Sequence, residues 1–262
     1  QEIDFYLVDA FSDKTFGGNA AAVCPLEEWL PDETLLKMAQ QHNQSETAFF
    51  VRTDGGFELR WFTTLDEINL CGHATLAASH VIFEYLDYPH TEITFTTRFV
   101  GELTVKRSGD WLTLNFPAWT TEPVENPPVV LLSALGITEA KEVRVGRDYM
   151  VVLESQQQVE ALTPDIGAML PLDKMVCVTA PGEQYDFVSR FFCPGEGVPE
   201  DPVTGSAHSM LIPYWSEKLG KTSLNARQVS YRGGDLRCEL KGDRVLIGGQ
   251  ATLYLKGRIF LR

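Results

Sequence analysis

Leu59-Arg60-Trp61-Phe62-Thr63 leads, after a short gap, into Cys71-Gly72-His73-Ala74, and Ser189-Arg190-Phe191-Phe192-Cys193 leads in the same way into Thr204-Gly205-Ser206-Ala207. Each pair is followed by an apolar-periodic stretch, with Leu76, Ala77, Val81, Ile82, Tyr85 and Leu86 in the first and Leu211, Ile212, Tyr214, Trp215 and Leu219 in the second. Gly72 and Gly205 stand 133 positions apart, and the offset recurs downstream, where Gly101-Glu102-Leu103 matches Gly234-Asp235-Leu236 and Gly109-Asp110 matches Gly242-Asp243. Self-similarity held in register across a helix and a hairpin means that one structural unit is written twice.

That unit is mostly β. Alternating or β-rich runs cover residues 4–8, 47–51, 57–62, 92–97, 102–106, 111–116, 143–145, 149–153, 175–178, 186–192 and 246–261. The best helices follow the Gly72 and Gly205 turns, where apolar residues recur every three or four positions. Shorter helices fit 32–41, with Pro31-Asp32 as breaker and cap, and 129–135. Pro117, Pro123, Pro127 and Pro128 fall within twelve residues and mark a linker. The expected organisation is an N-terminal domain of residues 1–117, a linker of 118–128 and a C-terminal domain of 129–262, an α+β fold of two similar halves.

The 262 residues are 44% hydrophobic and 22% charged, which is ample material for a core and excludes wholesale disorder. With 22 Lys and Arg against 36 Asp and Glu, the formal net charge is −14, so no basic field exists to hold a phosphate backbone and a nucleic-acid partner is not expected. The longest apolar runs, such as Ala20-Ala21-Ala22-Val23-Cys24, are far shorter than the ~20 residues a bilayer requires, and Gln1-Glu2-Ile3-Asp4 is no basic n-region. The expectation is a cytoplasmic protein with no membrane partner. Five widely spaced cysteines, with no CxxC pair and no histidine at metal-ligand spacing, suggest neither a disulfide framework nor a zinc site.

A strand, a glycine turn and a helix leave unpaired backbone N–H groups at the helix N-terminus, where the macrodipole favours negative charge. Cys71-Gly72-His73-Ala74-Thr75 supplies one such place and Asp201-Pro202-Val203-Thr204-Gly205-Ser206-Ala207 the other. Two of them facing across a cleft between related domains suit a small carboxylate, held by local dipoles rather than steered by net charge.

The chain resembles the phenazine-biosynthesis PhzF-like family, within the diaminopimelate epimerase and proline racemase superfamily. The motifs that carry the resemblance are Asp9-Ala10-Phe11 with Gly18-Asn19-Ala20-Ala21-Ala22-Val23, Gln44-Ser45-Glu46-Thr47-Ala48-Phe49, Cys71-Gly72-His73-Ala74-Thr75 and Glu200-Asp201-Pro202-Val203-Thr204-Gly205-Ser206-Ala207-His208. Residues 207–215, with Arg232-Gly233-Gly234, are most similar to the vertebrate branch called phenazine biosynthesis-like domain protein. The resemblance implies two pseudo-twofold-related domains, each a barrel-like sheet around a central helix, with dimers common. It also implies proton transfer between carbons without metal, pyridoxal phosphate or nicotinamide. The founding member shifts a proton from C3 to C1 of trans-2,3-dihydro-3-hydroxyanthranilate with one carboxylate as base and acid.

Carried onto this chain, the pattern makes Glu46 the general acid/base, with His73 and Asp201 as its catalytic company, and gives Asn19, Gly72, Gly205 and Ser206 to substrate binding. Glu46 stands against an apolar aromatic strand, where burial is expected to raise its pKa from ~4.3. His73 and Asp201 form an expected pair for a substrate amine or hydroxyl. Racemases of the superfamily use a thiol at each glycine turn, and here Thr204 matches Cys71, so a symmetric racemase is disfavoured. Each motif also has a plain structural reading: Ser45-Glu46-Thr47 as a cap or strand start, His73 as a turn histidine, Asp201 before Pro202 as a turn-former, and Cys71 as a relic with a pKa lowered by the helix terminus but no partner. His80, His90 and His208 read as structural or surface residues, His208 within reach of Ser206. Gly18-Asn19-Ala20 stands where relatives commonly have Gly-Asn-Pro, and Cys193-Pro194-Gly195 where they have Ala-Pro-Trp, so pocket shape is this chain's own. The leading expectation is an isomerase of small amino or hydroxy carboxylic acids. An epimerase using Cys71 and a non-catalytic binding protein are the alternatives.

Overall fold

A computed structural model describes all residues, 1–262, as two compact units, one of residues 1–115 with 247–262 and the other of 116–246. The first contains β1 (Glu2–Ala10), β2 (Asn19–Leu26), α1 (Asp32–His42), β3 (Thr47–Thr53), β4 (Gly56–Phe62), β5 (Glu67–Ile68), α2 (Gly72–Tyr85), β6 (Glu92–Thr97), β7 (Gly101–Ser108) and most of β8 (Trp111–Pro117), whose last two residues fall in the second. β1 pairs antiparallel with β2, β2 parallel with β3, β3 antiparallel with β4, β4 parallel with β6, and β6 antiparallel with β7. Of the fourteen residues of α2, eleven are buried, so this helix is the core about which the strands are laid. Each large side chain sunk in this way, Leu76 or Ile82 for example, stabilises the fold by about 1.5–3 kcal/mol. A second apolar cluster joins Leu35 and Met38 of α1 to Cys24, Phe49 and Phe62.

The second unit repeats the scheme. After β9 (Glu122–Pro123) and α3 (Val129–Ala134) come β10 (Glu142–Val145), β11 (Tyr149–Val152), α4 (Gln156–Glu160), α5 (Ile166–Met169), β12 (Val176–Pro181), β13 (Phe187–Cys193), β14 (Val198–Asp201), α6 (His208–Leu219), β15 (Ser223–Gln228), β16 (Gly234–Lys241) and β17 (Arg244–Gly249). β10 pairs antiparallel with β11, β11 parallel with β12, β12 antiparallel with β13, β13 parallel with β15, and β15 antiparallel with β16. Pairing for pairing, this is the order of the first unit, and α6, with eight of twelve residues buried, takes the place of α2. The duplication extends to single side chains. Arg60 donates from Nε and Nη2 to the two oxygens of Glu67 and lies over the Phe62 ring. Arg190 does the same with Glu200 and Phe192.

Three details differ from the sequence reading. The apolar run at 246–261 is broken into β17 and β18 (Ala251–Phe260), and β18 pairs antiparallel with β1 along its length, so residues 247–262 belong to the first unit. The proline-rich segment is strapped down in the second unit, where β9 pairs with β10 and Trp119 N–H donates to the Ser209 carbonyl. At the head of α1 the cap position is Pro31, with no side-chain cap, and Asp32 instead lies in the first turn and accepts from Arg60 and Arg98. No helix is long and apolar enough to cross a membrane.

Candidate active site

α1 stops at Asn43, whose left-handed backbone (φ 52°) sends its N–H to the Ala39 carbonyl and turns the chain toward β3. Three residues later the Glu46 carbonyl accepts from Ala22 N–H of β2, which fixes the backbone of Glu46 between a helix end and two strands. α2 begins at Gly72 with Cys71 as an extended N-cap, so Cys71 and His73 are one cap and one first-turn residue apart and point to the same place. There the His73 Nδ1 lies 3.4 Å from the Cys71 Sγ, and its Nε2 lies 3.1 Å from Glu46 Oε2 and 3.4 Å from Ser45 Oγ. His73 and Cys71 are buried, whereas the Glu46 side chain keeps 17% exposure. Although Glu46 Oε2 is close enough to His73 for an ion pair, no aligned hydrogen bond reaches that buried oxygen.

The charge state follows from this packing. Burial alone would push the Glu46 carboxyl up, but the close His73 imidazolium, with the neighbouring Ser45, outweighs it and holds the carboxyl below its ordinary range. This corrects the expectation of a raised pKa, which saw the apolar strand and not the imidazole brought up by α2. Burial disfavours the His73 imidazolium, yet Cys71 and Glu46 together raise it well above the ordinary histidine value. The Cys71 thiol, far from being lowered by the helix terminus and unpartnered, is pushed up by burial and by the Glu46 charge against the opposing pull of His73. At neutral pH the trio is therefore carboxylate, imidazolium and thiol. Its donor atoms lie within 4.8 Å of one another, an association that sequence spacing did not suggest.

The second unit holds Asp201, Gly205 and Ser206. Asp201 closes β14, and Gly205 and Ser206 lie in tight turns ahead of α6, where His208 N–H donates to the Gly205 carbonyl and Ser209 N–H to that of Ser206. Thr204 donates its hydroxyl proton to Asp201 Oδ2 over 2.6 Å. Gln228, wholly buried at the end of β15, accepts from Thr204 N–H and donates from Nε2 to the Asp201 carbonyl and to Thr204 Oγ1. Sequence reasoning missed Gln228, for which the only signal is an amide at a position where strand alternation predicts a buried residue. His208 is no surface residue: it is wholly buried, its Nδ1 bonded to the Thr204 carbonyl and its Nε2 without a partner. Asn19 opens β2 opposite Ala10, just after a loop in which Asp9 Oδ2 accepts from Phe16 N–H. The Asp9-Ala10-Phe11 motif thus shapes the loop that delivers Asn19.

By its family and its relatives, the chain is an enzyme of the isomerase class. It belongs to the PhzC-PhzF family, phenazine biosynthesis-like protein, whose model matches residues 8–257. It is 49% identical over 261 residues to an uncharacterized isomerase of Pseudomonas aeruginosa, covering 99% of this chain and 100% of that one. It is 38% identical to a phenazine biosynthesis-like domain-containing protein of Bos taurus, covering 98% and 99%. The crystal structure of a PhzF-family phenazine biosynthesis protein from Enterococcus faecalis superposes with a TM-score of 0.95 at 45% identity over 100% of both chains. A probable proline racemase of Agrobacterium radiobacter, at 10% identity and a TM-score of 0.63 over 99% of this chain and 93% of that one, shares the fold alone, which is diaminopimelate epimerase-like.

Proposed function

We propose that the chain is a cofactor-independent isomerase that moves a proton between carbons of a small amino or hydroxy carboxylic acid, with Glu46 as the general base and then the general acid. The observation that carries this reading is the Glu46 oxygen itself, buried, without an aligned donor and 3.1 Å from the His73 nitrogen. A carboxylate so placed is ionised and ready to accept a substrate proton, and the adjacent imidazolium stabilises it between turnovers. One carboxylate serves both steps when the two carbons present the same face.

In this reading Asp201 takes a substrate amine or hydroxyl, and the Gly205 and Ser206 turns, with Gly72 and Asn19, take the carboxylate. Both helix starts lack a side-chain cap, which supports the anion assignment. Thr204 argues against a symmetric two-thiol racemase, because its one proton is committed to Asp201. A second reading is favoured by one contact: the 3.4 Å approach of Cys71 to His73 suits an epimerase in which the thiol takes the second proton. Dimerisation rests on the resemblance alone.

The test is proton exchange in D2O with a panel of small amino and hydroxy acids, dihydro-hydroxyanthranilate among them, read by NMR. Deuteration that Glu46→Gln abolishes and Cys71→Ser spares supports the isomerase. Loss in Cys71→Ser supports the epimerase. Absence of exchange across the panel moves the balance to a binding protein.

A further inference from the structure

We propose that a cavity in the first unit, walled by Trp29, Glu58 and Arg60 and separate from the Glu46 cluster, binds a small apolar α-amino acid as its zwitterion. The cavity has a volume of about 430 Å³, with Leu30, Thr96 and Arg98 also in its wall and none of Glu46, Cys71 and His73. Small-molecule sites commonly enclose about 300–1,000 Å³.

The duplication points to what the cavity accepts. In the second unit Arg190 gives Nε and Nη2 to Glu200, and its Nη1 donates to the carbonyls of Val159 and Leu162 at the end of α4. In the first unit Arg60 gives Nε and Nη2 to Glu67 in the same way. The helix between the matching parallel strands there is α1, which brings Asp32 to Nη2 and nothing to Nη1. The Arg60 side chain is only 11% exposed, and a guanidinium so enclosed ordinarily has its donors met. The fitting group therefore carries oxygen acceptors, as the two carbonyls do in the duplicate. Arg60 is held ready for it, with Cζ 5.1 Å from the ring centroids of both Trp29 and Phe62.

Charge decides between a bare carboxylate and a zwitterion. Asp32, Glu58 and Glu67 stand against Arg60 and Arg98, so a carboxylate alone would deepen a local negative excess, whereas an amino acid leaves it unchanged. Its carboxylate takes Arg60 Nη1 and the half-exposed Arg98, and its ammonium takes Glu58, whose Oε2 accepts from Trp29 Nε1 at 2.5 Å. Strand geometry gathers these groups: Glu58 and Arg60 share a face of β4, and Glu58 lies opposite Thr96 in the parallel pairing with β6. Trp29 and Leu30, both half-buried, offer the apolar wall for the ligand's side chain.

Binding here is independent of the proton-transfer reading, and Glu46→Gln separates the two. L-Leucine and L-phenylalanine are titrated into the isotope-labelled intact protein, and the indole N–H resonances of its five tryptophans are followed by NMR, that of Trp29 being identified with Trp29→Phe. The expected result is a saturable shift of the Trp29 resonance that Glu46→Gln leaves unchanged. Phenylpropanoate and phenethylamine, each lacking one charge of phenylalanine, are expected to bind roughly tenfold or more weakly. Glu58→Gln keeps an acceptor for Trp29 while removing the charge, and is expected to narrow the gap between phenylalanine and phenylpropanoate. No saturable shift with either amino acid, phenylpropanoate binding as well as phenylalanine, or loss of the shift in Glu46→Gln would each overturn the proposal.

Discussion

Thr204 hands its only hydroxyl proton to Asp201 over 2.6 Å, and this makes the position matching Cys71 a structural one. With Gln228 bonded to Thr204 Oγ1, Thr204 N–H and the Asp201 carbonyl, the three residues form a closed set with every donor used. Thr204→Val and Gln228→Met each strand buried partners, and the expected loss is about 2–4 kcal/mol of unfolding free energy in denaturant titrations. Thr204→Ser keeps the hydroxyl and is expected within about 1 kcal/mol of the parent.

The duplicated Arg–Glu forks make a paired prediction. Side-chain exposure is 11% and 12% for Arg60 and Glu67, and 12% and 18% for Arg190 and Glu200, so removing one partner strands a poorly hydrated charge. Arg190→Met is expected to cost about 3 kcal/mol, and Arg190→Met with Glu200→Leu to recover much of it. A double-mutant cycle by chemical unfolding checks this, and additive losses would show that the two do not interact.

Acid should weaken the fold through His208. Burial lowers its pKa from 6.5 to about 4 in the folded protein, so the unfolded chain takes up the proton first as pH falls. The contribution is fully present above about pH 6.5 and is lost progressively as pH falls from 6.5 toward 4, by at most about 3 kcal/mol. His42, lowered to about 4 by the same cause, adds in the same direction. Unfolding free energies across this window are expected to fall less steeply with acid in His208→Gln.

Gly18 and Gly101 separate two reasons for a glycine. Both are left-handed, at φ 60° and 74°, but a Cβ on Gly18 would stand 2.0 Å from the Ala10 carbonyl oxygen, whereas one on Gly101 meets nothing within 4 Å. Gly101→Ala is expected to cost about 1–2 kcal/mol, and Gly18→Ala roughly 3 kcal/mol or more, because backbone must move. Thermal melts of the two variants check the order.

The repeat was legible because its signal, an aromatic strand, a glycine turn and a periodic helix, is written in adjacent residues. The strands β1, β3, β4 and β6 followed from alternation. β2 did not, since it is paired parallel to β3 and almost wholly buried, leaving a continuous apolar run with no period. α4 and α5 span five and four residues, too few to show a helical face, and are recognisable only by the caps at Ser155 and Asp165. The break in the 246–261 run falls where Gly249 makes room for Phe11, whose ring would collide with a Cβ there. Alternation carries no trace of a ring arriving from more than two hundred residues away. Glu46, His73, Asp201 and Ser206 were readable from motif likeness, but the charge on Glu46 depends on His73, 27 positions on, and no local pattern reports it.

The pairing of β18 with β1, closed at its end by Leu261 N–H on the Gln1 carbonyl, sets an order of events in synthesis. Residues 1–115 leave the ribosome first, yet their sheet lacks an edge partner until 247–262 emerge, whereas 116–246 are contiguous and complete earlier. The half carrying Glu46 is thus the last to close, and a nascent chain stalled before residue 247 presents β1 as an open template for any passing strand.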